Sequence, residues 1–211
     1  MRDREELFLK ENGLDVDGID RAKLLAAFAE EMDAGLAGKP SSLMMIPSFI
    51  SIDRPVKTGT PVVVLDAGGT NLRAAVVTID DTGKAQIGSF SKRPMPGTQG
   101  EISAEAFFDA FADFLMPVIT ESESIGFCFS YPAEITPTCD ARLLHWSKQI
   151  EVPEVVGQMI GAGLLRHLAQ RGYERRVVIL NDTVATLLAG KSAGIAKPYS
   201  AYVGFILGTG T

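Results

Sequence analysis

The stretch Val62-Val63-Val64-Leu65-Asp66-Ala67-Gly68-Gly69-Thr70-Asn71 runs from an apolar segment directly into a turn of small residues. Its first half predicts a buried β-strand, because consecutive aliphatic side chains fill both faces of a covered sheet. Glycine lets backbone N–H groups approach phosphate oxygens closely, so the turn is a candidate phosphate-binding loop. A plain hairpin turn would explain Gly-Gly-Thr equally well, but not an acid at the end of an apolar strand.

The same pattern occurs again in Val203-Gly204-Phe205-Ile206-Leu207-Gly208-Thr209-Gly210-Thr211. A strand is expected over residues 202–207, followed by a second glycine turn. Two such turns that face each other can hold the phosphates of a nucleotide from both sides of a cleft. Taken alone, Gly208, Thr209 and Gly210 indicate only a turn.

The composition of the chain excludes several classes of function. Its 211 residues are 46% hydrophobic and 22% charged, which is typical of a globular protein with a buried core. The net charge of −6 argues against a nucleic acid or an acidic membrane as partner. No apolar run approaches the length of a membrane span and no leader precedes the first charges, so we expect a cytoplasmic protein. Cys128 and Cys139 predict neither a disulfide framework nor a metal site.

Hydrophobic periodicity predicts an α/β fold with a mixed sheet. A helix is expected over residues 20–36, then three antiparallel strands, the second and third joined by the turn Asp80-Asp81-Thr82-Gly83-Lys84. Helices and strands then alternate, with Ser103 as the N-cap of the next helix. The predicted strands are 62–66, 72–79, 85–92, 125–130, 175–180 and 202–207, and the later helices are 103–115, 155–169 and 183–189.

Three further segments carry polar groups at places where a site can form. Asn181 and Asp182 follow a strand where a helix begins, so Asp182 is either an N-cap or a general base for a substrate hydroxyl. Phe-Ser-Tyr-Pro places Ser130 after another strand, and Trp-Ser-Lys places Ser147 and Lys148 beside an indole. Each of these motifs is weak in isolation, because an exposed Ser or Lys is usually a surface residue.

The ordered set of motifs resembles the hexokinase family of the actin-like ATPase superfold, which is ribonuclease H-like. The order is Asp-x-Gly-Gly-Thr-Asn-x-x-Arg at 66–73, Phe-Ser-x-Pro at 129–132, Trp-Ser-Lys at 146–148, Asn-Asp-Thr-Val-Ala-Thr at 181–186 and Gly-Thr-Gly at 208–210. The segment Met45-Ile-Pro-Ser-Phe49 also resembles the entry segment of that family. The resemblance extends over nearly the whole chain from about residue 30 onward.

The resemblance implies an enzyme that moves the γ-phosphoryl group of ATP, with Mg²⁺, to the 6-hydroxyl of a hexose, with glucose as the first candidate. It implies that Asp182 is the catalytic base and that it binds the sugar together with Ser130, Ser147, Lys148 and Asn181. It also implies that Asp66 reaches the magnesium ion through water. The implied nucleotide-binding residues are Asp66, Gly68, Gly69, Thr70, Asn71, Arg73, Gly208, Thr209 and Gly210.

The chain departs from the family pattern in three respects. Tyr131 replaces the usual Phe, Ser147 replaces the common Thr, and the family continues well beyond the second glycine turn. The resemblance therefore implies a small lobe, residues 1–180, and the beginning of a large lobe, residues 181–211, which alone would be inactive. A non-catalytic sugar-binding regulator of the same fold is the alternative, and the repressor–sugar-kinase branch of the superfold is a further one.

Overall fold

The computed structural model describes residues 2–43, 45–51, 53–147, 149–194, 197 and 199–204. The chain divides into two compact units, residues 1–47 and 48–211. This division falls at a different place from the predicted lobe boundary at residue 180, which stays a prediction. In the part of the chain that the structure describes, no helix is long and apolar enough to cross a membrane.

The first unit contains two helices, α1 (Arg2–Glu11) and α2 (Arg21–Leu36). Asp20 is the N-cap of α2, and its carboxylate accepts a hydrogen bond of 3.1 Å from the Lys23 amide. The predicted helix over 20–36 is confirmed. Its apolar side chains are exposed, Leu24 by 59% and Leu25 by 68%.

The second unit is built on a five-stranded sheet with the order β3-β2-β1-β4-β7. Strand β1 (Val62–Ala67) pairs antiparallel with β2 (Asn71–Ile79), and β2 pairs antiparallel with β3 (Ala85–Pro94). On its other side β1 pairs parallel with β4 (Ser124–Phe129), which pairs parallel with β7 (Arg176–Leu180). The predicted mixed sheet with three antiparallel strands at the start is confirmed.

Two helices, α3 (Ala104–Leu115) and α4 (Ile160–Gln170), supply the core on one face of this sheet. The Ser103 hydroxyl accepts a hydrogen bond of 3.2 Å from the Ala106 amide, which confirms Ser103 as the N-cap of α3. Phe111 of α3 lies with its ring centroid 5.7 Å from that of Phe127 on β4. Along β1 every second residue is buried in this core, and the alternate residues, which include Asp66, face the other way.

The chain between β4 and α4 differs from the prediction. A short hairpin of β5 (Ala133–Ile135) and β6 (Ala141–Leu143) was not predicted, and the helix expected over 155–169 begins only at Ile160. The carboxylate of Asp140, a residue of the hairpin, caps the start of α4. It accepts hydrogen bonds from the amides of Gly161 at 2.6 Å and Ala162 at 2.9 Å. A cap supplied from a distant residue leaves no local sequence signal.

The last helix, α5 (Asp182–Ala193), follows β7 directly and extends beyond the predicted range of 183–189. Near its carboxyl end it contacts the turn between β2 and β3, where the Ser192 hydroxyl donates a hydrogen bond to the Gly83 carbonyl at 3.0 Å. The strand predicted over 202–207 is absent from the described residues 202–204, and residues 205–207 lie outside the described residues.

Candidate active site

Strand register brings four of the predicted site residues, Asp66, Ser130, Asn181 and Asp182, to one edge of the sheet. Asp66 on β1 is paired with Cys128 on β4, and Cys128 is paired with Leu180 on β7. These strands are parallel, so their carboxyl ends lie side by side. Ser130 follows the end of β4, and Asn181 and Asp182 follow the end of β7. Ligands of open α/β sheets bind in the crevice outside such strand ends.

The electrostatics of Cys128 agree with this grouping. The pKa of the Cys128 thiol is raised to about 12, mainly by burial and in addition by the negative charges of Asp66 and Asp182, while a hydrogen bond with Ser130 opposes the rise. Both carboxylates are therefore close enough to act on one thiol. From the sequence alone Cys128 has no predicted role at the site, although it lies only two residues before Ser130.

The first glycine turn joins β1 to β2. The Gly68 amide donates to the Asn71 carbonyl at 3.0 Å, and the Met95 amide donates to the Thr70 carbonyl at 3.0 Å. The backbone φ of Gly68 is not positive. A Cβ at this position would lie 3.3 Å from the Asn71 oxygen, so a side chain would fit only if the turn shifted by a few tenths of an ångström.

Arg73 and Asp66 form an ion pair at the base of this turn. The distance from Arg73 Nη1 to Asp66 Oδ2 is 2.6 Å, and the two side chains are 40% and 30% exposed. The pair follows from the antiparallel register, in which Asp66 lies opposite Arg73. A guanidinium is thus held beside the candidate phosphate loop, where it can contact an anion.

At the start of α5 the capping role belongs to Asn181 rather than Asp182. Asn181 Oδ1 accepts hydrogen bonds from the Thr183 amide at 3.0 Å and from the Thr183 hydroxyl at 2.6 Å. Asp182 is the first residue of the helix, and its Oδ1 accepts the Thr183 amide at 2.8 Å. The interpretation of Asp182 as the N-cap is therefore wrong, because its neighbour Asn181 caps the helix.

The Trp-Ser-Lys segment lies against the segment that follows β4. The Trp146 indole donates to the Val152 carbonyl at 2.9 Å, and its ring centroid lies 4.9 Å from that of Tyr131. Ser147, next along the chain, is exposed. Lys148 and the second glycine turn, Gly208, Thr209 and Gly210, lie outside the described residues.

Comparison with known proteins decides the family of the chain. The family model described as Hexokinase matches residues 10–192. The chain belongs to the hexokinase family. It is 32% identical to Hexokinase-1 of Oryza sativa subsp. japonica over 206 residues, which cover 90% of this chain and 40% of that protein. It is likewise 32% identical to the Hexokinase of Brugia malayi, with 90% of this chain and 34% of that protein covered.

Solved hexokinase structures have the same fold. The hexokinase from Schistosoma mansoni complexed with glucose aligns with a TM-score of 0.62 at 27% identity, over 80% of this chain and 39% of that one. A second hexokinase crystal structure gives a TM-score of 0.65 at 23% identity, over 81% and 44%. The predicted actin-like ATPase fold and the family are confirmed. The chain spans well under half the length of these relatives.

The described side chains of this hexokinase-family chain offer few ligands for a metal ion of their own. They are compatible with a magnesium ion whose other ligands are nucleotide phosphates and water. Among the described residues, no three His, Cys, Asp or Glu side chains are grouped so as to hold a metal ion. Mg²⁺ usually keeps several waters and needs only one or two carboxylates beside substrate phosphates. The half-buried Asp66 carboxylate at the end of β1 is a suitable oxygen donor of this kind.

Proposed function

We propose that the complete protein that contains this chain transfers the γ-phosphoryl group of ATP to the 6-hydroxyl of a hexose, in the first step of glycolysis. The observation that carries the proposal is the grouping of Asp66 and Asp182 around Cys128 at adjacent strand ends. Phosphoryl transfer needs one group at the phosphates and one at the attacking hydroxyl, and this edge of the sheet supplies both. The proposed compartment is the cytoplasm.

In the proposed mechanism Asp182 accepts the proton of the attacking hydroxyl. An ordinary Asp is a weak base at neutral pH, but phosphoryl transfer needs little deprotonation early, so positioning matters more than basicity. Because Asn181 caps α5, Asp182 is held at the first position of the helix, next to the sheet edge. Asn181, Ser130, Ser147 and Lys148 supply donors and acceptors for the sugar hydroxyls.

The phosphates of ATP occupy the two glycine turns in this proposal. Backbone amides of Gly68, Gly69, Thr70 and Asn71 and the guanidinium of Arg73 contact them on one side, and Gly208, Thr209 and Gly210 contact them on the other. Mg²⁺, when bound, would neutralise developing charge on the phosphate oxygens and be oriented by Asp66.

Glucose is the proposed hexose. The solved hexokinase from Schistosoma mansoni was complexed with glucose, and 80% of this chain aligns with it. The chain covers 40% of the rice relative, so the remaining sugar and adenosine contacts are proposed to come from further residues. We therefore propose that residues 1–211 form a small lobe to about residue 180 and the start of a large lobe, and that they are inactive alone.

The test is a coupled assay of ADP release by the complete protein with ATP, Mg²⁺ and glucose, with 6-deoxyglucose as the matched control. We expect ADP release with glucose and none above background with 6-deoxyglucose, because only glucose carries the accepting hydroxyl. A phosphorus NMR spectrum of the product identifies the ester at the 6-position. Glucose binding without turnover would contradict the proposal and favour the sugar-binding regulator.

A further inference from the structure

A hydrogen bond joins the first glycine turn to the segment after β4. The Tyr131 hydroxyl donates to the carbonyl oxygen of Gly68 at 2.6 Å, across 63 residues of sequence. Tyr131 is only 2% exposed. Burial raises the pKa of its phenol above the ordinary value, and the nearby charge of Asp66 adds to the rise. The hydroxyl therefore keeps its proton, and remains a donor, throughout the physiological range.

The ring of Tyr131 is fixed independently of this bond. Its centroid lies 5.0 Å from that of Phe129 and 4.9 Å from that of Trp146, the latter at an interplanar angle of 88°. Trp146 is itself anchored through its indole N–H to the Val152 carbonyl. Aromatic packing on two sides therefore sets the position of the hydroxyl, and the position of the Gly68 carbonyl follows from it.

Fixing the Gly68 carbonyl also fixes the next amide. The peptide unit between Gly68 and Gly69 is planar, and in the trans form its C=O and N–H point in opposite directions. The Tyr131 bond holds the C=O toward the protein, so the Gly69 N–H points away from Tyr131. Two adjoining glycines would otherwise allow this peptide to flip at little steric cost.

We propose that Tyr131 is a positioning residue that holds the Gly68–Gly69 peptide in the orientation needed for the Gly69 amide to bind a nucleotide phosphate. This inference rests on the proposed function, which assigns the turn to ATP. The same side chain directly follows Ser130 and packs on Trp146, next to Ser147. It thereby connects the proposed sugar-binding segments to the proposed phosphate turn.

The test compares wild type with Tyr131→Phe in the complete protein. This variant keeps the packed ring and removes only the hydroxyl, so the fold is retained. We expect the KM for ATP and the dissociation constant for Mg·ADP to rise about three- to tenfold, as for loss of one net hydrogen bond. The KM for glucose should stay within about twofold, because the sugar contacts themselves are unchanged.

Tyr173→Phe is the matched control, since Tyr173 lies before the amino-terminal end of β7, whereas the candidate site lies beyond the carboxyl ends of the strands. It should leave all three constants unchanged.

Equal rises in both KM values, or unchanged nucleotide binding in Tyr131→Phe, would overturn the role of Tyr131. If the wild type binds Mg·ADP but phosphorylates no hexose, the proposed function fails, and the Mg·ADP titration still decides the role of Tyr131. A wild type that binds no nucleotide overturns both.

Discussion

At the scale of single residues, Cys128 reports most directly on the electrostatics of the site. Its thiol is half-buried, and this burial together with the charges of Asp66 and Asp182 raises its pKa to about 12. The reactive thiolate of such a group is scarce at neutral and mildly alkaline pH. The alkylation rate of Cys128 therefore reports how strongly the two carboxylates raise the pKa of its thiol.

We predict that iodoacetamide alkylates Cys128 very slowly at pH 8, because the raised thiol pKa leaves little thiolate, and that the rate rises steadily as the pH is increased. Asp66→Asn should accelerate the reaction at fixed pH, because it removes one of the charges that raise the thiol pKa. Peptide mapping by mass spectrometry measures the rate, with Cys139 as the internal reference. Rapid alkylation of Cys128 in wild type at pH 8 would show that the thiol is not enclosed as described.

The candidate site residues could be named from the sequence, but their contacts in the fold could not. Asp66, Ser130, Asn181 and Asp182 were identified from motif order. The ion pair of Asp66 with Arg73 and the bond from Tyr131 to Gly68 depend on strand register and on packing across 63 residues. No periodicity in the sequence contains that information.

At the scale of elements, the β2–β3 hairpin depends on one carboxylate. Asp80 Oδ1 accepts hydrogen bonds from the Thr82 hydroxyl at 2.6 Å and from the amides of Thr82 and Lys84 at 3.0 Å each. These bonds, with one from Gln86, lower the pKa of Asp80 from 3.8 to about 2, the Thr82 hydroxyl contributing most. The hairpin was predicted from Asp-Asp-Thr-Gly-Lys because its bonds are local.

We predict that the stabilisation from Asp80 is complete above pH 3.8 and is lost as the pH falls through about 2. The sign follows because a lowered folded-state pKa favours the ionised form in the folded protein. Asp80→Asn should increase amide hydrogen exchange in residues 82–86 at pH 6, whereas the exposed neighbour Asp81→Asn should not. Equal exchange in the two variants would contradict the role of the Asp80 carboxylate.

The contact between α3 and α4 depends on a glycine. A Cβ added to Gly163 would overlap the ring of Phe108, which is fully buried in the core. His167, also fully buried, adds a hydrogen bond of 2.8 Å from its Nδ1 to Asp109. The two helices therefore lie so close together that a side chain at position 163 would overlap the Phe108 ring.

We predict that Gly163→Ala destabilises the α3–α4 pair by about 1–3 kcal/mol, the usual cost of overpacking a well-packed core. Hydrogen exchange in α3 and α4 measures the effect. Gly190→Ala in α5 is the control, because its Cβ would meet only Tyr202 Cδ1 at 4.0 Å and alanine favours a helix. Unchanged exchange in Gly163→Ala would show that the helices can separate without cost.

Element boundaries were predictable where their signals were local. Ser103 predicted the start of α3 correctly, since its hydroxyl lies within three residues of the Ala106 amide that it binds. The start of α4 was predicted too early because its cap, Asp140, lies 21 residues before Gly161. The β5–β6 hairpin was missed because it has only three residues in each strand.

At the scale of the whole molecule, the central claim concerns the convergence of segments that are distant in sequence. The sheet order places β1 next to β4 and β4 next to β7, so residues 66, 130 and 182 meet at one edge. Motif order predicted the family, and therefore the fold, because five weak motifs in one order are together specific. The pairing that brings them together became visible only in the structure.

The measurement that tests this claim most directly is the turnover number of Asp182→Asn in the complete protein with ATP, Mg²⁺ and glucose. The amide keeps the size of the side chain, and Asn181 still caps α5, so the helix start is preserved. We predict that kcat falls about 10²–10⁴-fold, as for loss of a positioned general base. Asp81→Asn should retain wild-type turnover. A kcat for Asp182→Asn within about threefold of wild type would contradict the account, because removal of a positioned base costs far more.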